Sequence, residues 1–268
     1  MKILEIIKKY NLSTKKKFGQ NFLVDELLLD KIVSVACDIK NTNVLEIGAG
    51  PGGLTFSILK QNPKKLVSIE IDKDCFNILK TEFNQYNNFE VINKDALKID
   101  EKSFFDNEKI NVIANLPYNV GTALLLKWLN NLEIFNSFTL LLQKEVVDRI
   151  IAEPCTKDYG RLTVLVQALC NVKKGFDIKP TSFIPAPKVM SSVVNITPKA
   201  NIQNIDIKKL SDITFILFNQ RRKIIKKPIQ DLIKNQKLDS KVLDFIDLNK
   251  RAEELNVECF IRIQSCYR

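Results

Sequence analysis

The chain has 268 residues, a net charge of +10, no histidine and six cysteines, none of them in a C-x-x-C pair. This composition excludes a catalytic His base, a Ser-His-Asp triad and a His metal ligand, and no structural zinc or other metal site is expected. No run of about 18 uncharged apolar residues occurs, so no membrane span is expected, and Met1-Lys2-Ile3-Leu4-Glu5 lacks the apolar stretch of a secretory signal; a cytoplasmic protein is the expectation.

Residues 1–20 form a basic extension with six lysines against one glutamate. Within it, 1–12 read as a short amphipathic helix with Ile3, Ile6 and Ile7 on one side. Lys15, Lys16 and Lys17 then run into Phe18-Gly19-Gln20-Asn21-Phe22-Leu23, a glycine hinge between phenylalanines. Leu27, Leu28, Ile32, Val33 and Val35 follow at helical spacing. The pattern next predicts a strand over 44–47, a glycine loop over 48–53 and a helix over 54–59. Strands follow over 66–71, 89–92, 110–114 and 138–142, alternating with helices over 74–83, 122–132 and 144–152. That alternation means a parallel sheet covered on both faces, an α/β fold. A helical pattern over 160–170 precedes two more strand candidates, 172–178 and 189–196, separated by a loop bounded by Pro180, Pro185 and Pro187. After Pro198 the pattern becomes helical and lysine-rich. The expected division is therefore 1–198 and 199–268. Residues 201–268 carry 14 Lys and Arg against nine Asp and Glu, while 21–200 is neutral with 21 of each. A basic surplus confined to both ends points to a polyanion, most simply nucleic acid.

Gly48-Ala49-Gly50-Pro51-Gly52-Gly53 lies between a strand and a helix, where glycines let backbone approach a ligand closely. Glu70 stands 20 residues after Gly50 at the end of the next strand. A carboxylate there can accept both hydroxyls of a ribose. Nicotinamide dinucleotides and S-adenosyl-L-methionine both fit that pair. Asp95 closes the third strand, placed either to accept from an adenine amino group or to cap the segment after it. Asn115-Leu116-Pro117-Tyr118 discriminates between these cofactors. The adenine N6 nitrogen is a poor nucleophile because its lone pair is delocalised into the ring. Acceptors from the Asn115 side chain and the Leu116 carbonyl can hold both N–H groups and aim that lone pair at a methyl donor. Tyr118 can stack on the base or pack in the core. Phe183, in a stiff proline loop, is either an opposite aromatic wall or a core residue. Arg221, Arg222 and Lys223 begin a stretch with five cations in seven positions, read as phosphate contacts or as a solvated helix face.

Taken together, these residues resemble the small-subunit rRNA adenine dimethyltransferase family. The resemblance runs from Lys16 to about Lys227 and rests on nine motifs in family order. They include Phe18 to Leu23, Leu45 to Gly52, Asn115 to Asn119, Tyr159-Gly160-Arg161-Leu162, Phe183 to Val189 and Gln220 to Lys223. It implies a Rossmann-like class I methyltransferase sheet with one antiparallel strand, plus a small C-terminal all-helical, rRNA-binding domain. It implies S-adenosyl-L-methionine as cofactor, with Asn21, Leu23, Gly48, Glu70, Asp95 and Asn115 lining its site beside Gly50. It also implies transfer of four methyl groups to N6 of two adjacent adenosines in the 3′-terminal hairpin of 16S rRNA. The implied partner is the immature 30S subunit; the bacterial branch fits best, given the length of the chain, and a monomer is expected. A 23S rRNA adenine N6-methyltransferase of the macrolide-resistance type, or a non-catalytic assembly factor on the same fold, are the alternatives. Gly121 departs from the serine of many members and is expected to loosen the following helix start without removing catalysis.

Overall fold

The computed structural model describes residues 3–200, 202 and 204–268. The described residues run, in chain order, α1 (Ile3–Lys9), β1 (Phe22–Leu23), α2 (Glu26–Val35), β2 (Asn43–Ile47), α3 (Gly53–Leu59), β3 (Lys65–Ile69), α4 (Lys73–Glu82), β4 (Phe89–Ile92) and β5 (Ile110–Asn115). They continue with α5 (Gly121–Leu129), β6 (Phe135–Gln143), α6 (Lys144–Ile150), α7 (Arg161–Leu169), β7 (Cys170–Ile178), β8 (Phe183–Ile184) and β9 (Ser191–Pro198). Three helices close the chain: α8 (Ile207–Phe218), α9 (Lys226–Lys234) and α10 (Val257–Ser265). The expected strands are all present, with ends moved by a few residues. Strand β6 differs most, starting at Phe135 rather than 138. Ring packing explains that start, since Phe135 and Phe138 both pack against the buried Trp128.

Two compact units divide the chain. The first holds 1–147 and 173–197; the second holds 148–172 and 198–268. Segment 148–172, expected with the sheet, is therefore part of the second unit. Its helix α7 packs against α8 and α10.

The first unit is built on a seven-stranded sheet of order β4-β3-β2-β5-β6-β9-β7. Strands β4, β3, β2, β5 and β6 run parallel, and β9 pairs antiparallel to β6 from Phe138↔Ile196 to Gln143↔Ser191. All five residues of β2 are buried, as expected of a central strand covered on both faces. The chain winds outward from β2 through β3 to β4, then returns to β5 on the other side of β2. The order thus reverses between β2 and β5, and the carboxyl ends of those two strands flank the crevice where open α/β sheets bind ligands. The sequence places the Gly48 loop at one of those ends and Asn115 at the other.

Two local expectations change. In α2 the packed residues are Leu29, Ile32 and Val33, whereas Leu27 is 82% exposed. Asp25 caps the helix through the Leu27 and Leu28 N–H groups, and this phase turns Leu27 outward. Gly121 begins α5 without a side-chain cap from Val120. A Cβ at Gly121 would stand 2.7 Å from Leu142 Cδ2, so the glycine admits close helix-to-strand packing there.

Candidate active site

A cavity of about 320 Å³ opens at the crevice in the first unit. Asn21, Leu23, Gly48, Gly50, Glu70, Asp95, Asn115, Leu116, Tyr118 and Phe183 all line it. These residues come from six separate parts of the sequence, and the sheet order is what gathers them.

The glycine loop is held in left-handed backbone, with φ of 71° at Gly48, 55° at Gly50 and 93° at Gly52. Residues with a Cβ adopt that region at a cost. The Gly50 N–H donates to Glu70 Oε2 at 2.8 Å, and the Asp72 N–H donates to Glu70 Oε1 at 2.8 Å. Glu70 is buried, which pushes its carboxyl above the usual range, while the Asp72 and Gly50 N–H groups oppose that rise. Each Glu70 oxygen thus spends one lone pair on backbone and keeps a second. Asp95 accepts from Leu97 N–H at 3.0 Å and lines the cavity as well, so capping and cavity roles coexist. Sequence reading missed two neighbours of these carboxylates. Ile71 and Leu97 line the same cavity and are 46% and 40% exposed. Their apolar faces are suited to a flat heteroaromatic ring, and the available signal was an apolar residue directly following, or two after, a site carboxylate.

Beneath the loop lies Glu46 of β2. It is buried, and its Oε2 accepts from Thr55 Oγ1 at 2.7 Å and Ser68 Oγ at 2.6 Å. Its Oε1 has no hydrogen-bond partner. Burial pushes this carboxyl up to about 7.

At the other strand end, Leu116 N–H donates to Leu141 O at 3.2 Å, and the Pro117 carbonyl accepts from Val120 and Gly121. The turn leaves the sheet there. Asn115 Nδ2 donates to the Asn21 carbonyl at 3.4 Å. Only an amide NH₂ can pair with a carbonyl, so this contact keeps Oδ1 as the free acceptor end. Tyr118 shares a 2.7 Å hydrogen bond with Ser191 Oγ at the start of β9, and burial pushes its hydroxyl up, against a smaller opposing effect of Ser191. The phenol stays neutral and its ring is anchored. Ser191 carried no signal in the sequence, because the strand that bears it lies 73 residues away. Phe183 is both core and cavity wall: it is 3% exposed yet lines the cavity. The two-stranded ladder Phe22↔Ile184 and Leu23↔Phe183 delivers Asn21, Leu23 and Phe183 to one place.

The basic N-terminal segment is partly spent within the first unit. Lys15 Nζ reaches Asp72 Oδ1 at 2.5 Å and Asp74 Oδ2 at 2.6 Å, and Gln20 Nε2 reaches Asp72 Oδ2 at 2.8 Å. The segment is thereby pinned to α4 while Lys17 to Asn21 line the cavity. Met1 and Lys2 lie outside the described residues.

In the second unit, 219–225 is a turn between α8 and α9, not the helix face considered from the sequence. Arg221 differs from its neighbours. Its Nε donates to Glu253 Oε2 at 2.7 Å, and its two terminal nitrogens donate to the Lys157 and Thr156 carbonyls at 2.6 and 2.7 Å. It staples that turn to 156–157 instead of presenting its donors to solvent. Arg222 and Lys223 are exposed. Among the described residues no group of three or more His, Cys, Asp or Glu is placed to hold a metal ion, and no helix is long and apolar enough to cross a membrane.

The family model for ribosomal RNA adenine dimethylase matches residues 11–268. The chain is 45% identical over 257 residues to the ribosomal RNA small subunit methyltransferase A of Pelagibacter ubique, covering 94% of this chain and 96% of that protein. The protein of the same description from a Wolbachia of Drosophila simulans is 42% identical over 258 residues, covering 95% and 93%. A crystal structure of a dimethyladenosine transferase from Plasmodium falciparum aligns with a TM-score of 0.77 at 28% identity, over 89% of this chain and 94% of that one. The fold is also that of the 23S rRNA methyltransferase ErmE, with a TM-score of 0.70 at 21% identity over 92% and 99% of the two chains.

Proposed function

The chain belongs to the ribosomal RNA adenine dimethylase family, and from that footing we propose that it transfers four methyl groups to N6 of two adjacent adenosines in the 3′-terminal hairpin of 16S rRNA, during assembly of the 30S subunit in the cytoplasm. It is an rRNA adenine dimethyltransferase on a class I methyltransferase sheet. The observation that carries the reading is that the Asn115-Leu116-Pro117-Tyr118 turn and the Gly50–Glu70 pair open into one cavity. Those residues fit an adenosine-containing cofactor. The loop glycines leave backbone exposed, a Cβ at Gly50 would press on the Phe22 ring at 3.1 Å, and Glu70 keeps lone pairs for a ribose diol. Gly48, Gly50, Glu70 and Asp95 would hold S-adenosyl-L-methionine, with Asn21 and Leu23 closing over it. Bound there, it supplies an electrophilic methyl group.

The remaining work belongs to the chain. Tyr118 and Phe183 supply aromatic surface to an adenine that has left its stack. Asn115 Oδ1 and the Leu116 carbonyl accept the two N6 hydrogens and turn the nitrogen lone pair toward the methyl donor. Placement and electrostatics then carry most of the acceleration. The N6 nitrogen gains a methyl, becomes cationic and sheds a proton to solvent. No basic side chain is required, in keeping with a chain without histidine. After the first transfer one N–H remains for one acceptor, so the same clamp serves the second. The second unit is proposed to hold the rRNA, with Arg222 and Lys223 on phosphates and Arg221 shaping their turn. We take the enzyme as a monomer without a metal.

The test is transfer of labelled methyl from the cofactor to unmethylated small subunits, mapped by position. Label on two adjacent adenosines of the 3′-terminal hairpin is expected. Label on large-subunit rRNA, or binding to small subunits without any transfer, would overturn the reading.

A further inference from the structure

Helix α8 buries Leu210, Ile213 and Leu217 in the second unit but leaves Phe215 59% exposed. Ser211 and Phe215 are four residues apart and share one helix face. Arg161, the first residue of α7, lies along that face. Its Nη2 donates to Ser211 Oγ at 3.0 Å, and its guanidinium carbon sits 5.2 Å from the Phe215 ring centroid. Beside this pair runs an open groove of about 530 Å³, with Tyr159 and Phe218 among the residues that line it. Their rings pack together, with centroids 6.0 Å apart. The groove has four cations, Arg149, Lys157, Arg161 and Arg221, against one carboxylate, Asp158. Arg221 is paired with Glu253, and Lys157 and Arg161 still outnumber Asp158 in the groove.

A flat aromatic surface carrying a guanidinium, beside a groove of positive charge, matches a nucleotide in both of its parts. A base stacks on the ring or the guanidinium plane, and its phosphate meets the cations. Inside a duplex both faces of a base are covered by its stacked neighbours, so the ligand is single-stranded. We propose that Phe215 and Arg161 form a nucleotide-stacking platform in the second unit, which takes an unpaired base of RNA with its flanking phosphate. This rests on the reading of the chain as an rRNA-modifying enzyme. It adds a contact that the adenosine-orienting cavity of the first unit does not supply.

The experiment uses the full chain and a fluorescein-labelled single-stranded RNA 12-mer of mixed sequence, with Phe215→Leu and Phe215→Trp. Phe215 is largely solvent-facing, so both variants are expected to melt with the wild type. The Leu variant keeps an apolar side chain but no ring. It is expected to lose about tenfold in affinity, whereas the Trp variant stays within about twofold. With unmethylated small subunits as substrate, the Leu variant is expected to raise KM at unchanged kcat. A Leu variant that binds the 12-mer as the wild type does, or a Trp variant as weak as the Leu variant, overturns the platform. So does a loss confined to assembled small subunits, which would mark a protein contact. The two readings fail differently. A wild type that neither binds nor methylates rRNA sinks the enzyme assignment and the platform with it. An active wild type matched by the Leu variant sinks the platform alone.

Discussion

Replacing Glu46 by Gln removes a buried titration from beneath the glycine loop, and the structure sets its size. An unfolded glutamate titrates at 4.5, and burial moves this one to about 7. Between those values the folded chain keeps a proton that the unfolded chain has lost. The stabilisation from that proton is complete below pH 4.5, falls as pH rises toward 7, and is gone above it. The whole difference is worth about 3 kcal/mol, most of it falling between pH 5 and pH 8. Gln keeps an oxygen for the Thr55 and Ser68 hydroxyls but puts an NH₂ where Oε1 has no partner. At pH 5 the variant is therefore no more stable than the wild type. By pH 8 the difference in unfolding free energy has moved in the variant's favour by roughly 2–3 kcal/mol. Urea unfolding at the two pH values measures this. Trp128, the single tryptophan, is buried in the same unit and reports its unfolding. A stability difference that is the same at pH 5 and pH 8 would refute the reasoning, because it would mean that Glu46 titrates alike in the folded and unfolded chain.

Four further outcomes are expected. Asn115→Ala should lower kcat by at least about 10²-fold, as for loss of one oriented catalytic dipole, with RNA affinity near the wild-type value; retained turnover would remove the clamp from the mechanism. Glu70→Gln offers one acceptor oxygen to two backbone N–H groups, so calorimetry with S-adenosylhomocysteine should show about tenfold weaker binding or worse, and an unchanged Kd would contradict this. Gly52→Ala forces a Cβ to 2.4 Å from Phe83 Cε2 at a φ of 93°, at a cost of roughly 2–4 kcal/mol. Gly160→Ala meets nothing within 4 Å and should melt within a degree or two of the wild type; equal losses from both variants would discredit the steric argument. Replacing Arg222 and Lys223 by Ala should flatten the salt dependence of RNA binding by about 1.5 in log–log slope. Arg221→Ala should instead lower the melting temperature with the slope kept, and the reverse pattern would reassign these residues.

The strands, the glycine loop and the Asn115 turn were legible because each depends on neighbours in the chain. Alternation and apolar runs mark β2 to β6, and glycines mark left-handed backbone. All ten cavity residues named from the sequence line one cavity. What escaped depends on partners far away. The burial of Leu29 in place of Leu27 follows from the phase that Asp25 gives α2. Ser191 gains its role only because β9 enters the sheet beside β6 and meets Tyr118. Arg221 looks like its neighbours in sequence and is separated from them by Glu253 and two carbonyls. Segment 148–172 reads as more of the sheet domain and packs with the last three helices' unit instead.

Residue chemistry and local periodicity thus pointed to which elements form and to the ten residues that line one cavity. The tertiary structure alone decided that Phe183 reaches the cavity, that Glu46 is left with an unpartnered oxygen, and that Phe215 stays in solvent with Arg161 across it. The reason is physical. Helix and strand preferences act over a few residues, whereas burial and long-range hydrogen bonds depend on the order in which strands pair, and in this sheet that order reverses between β2 and β5.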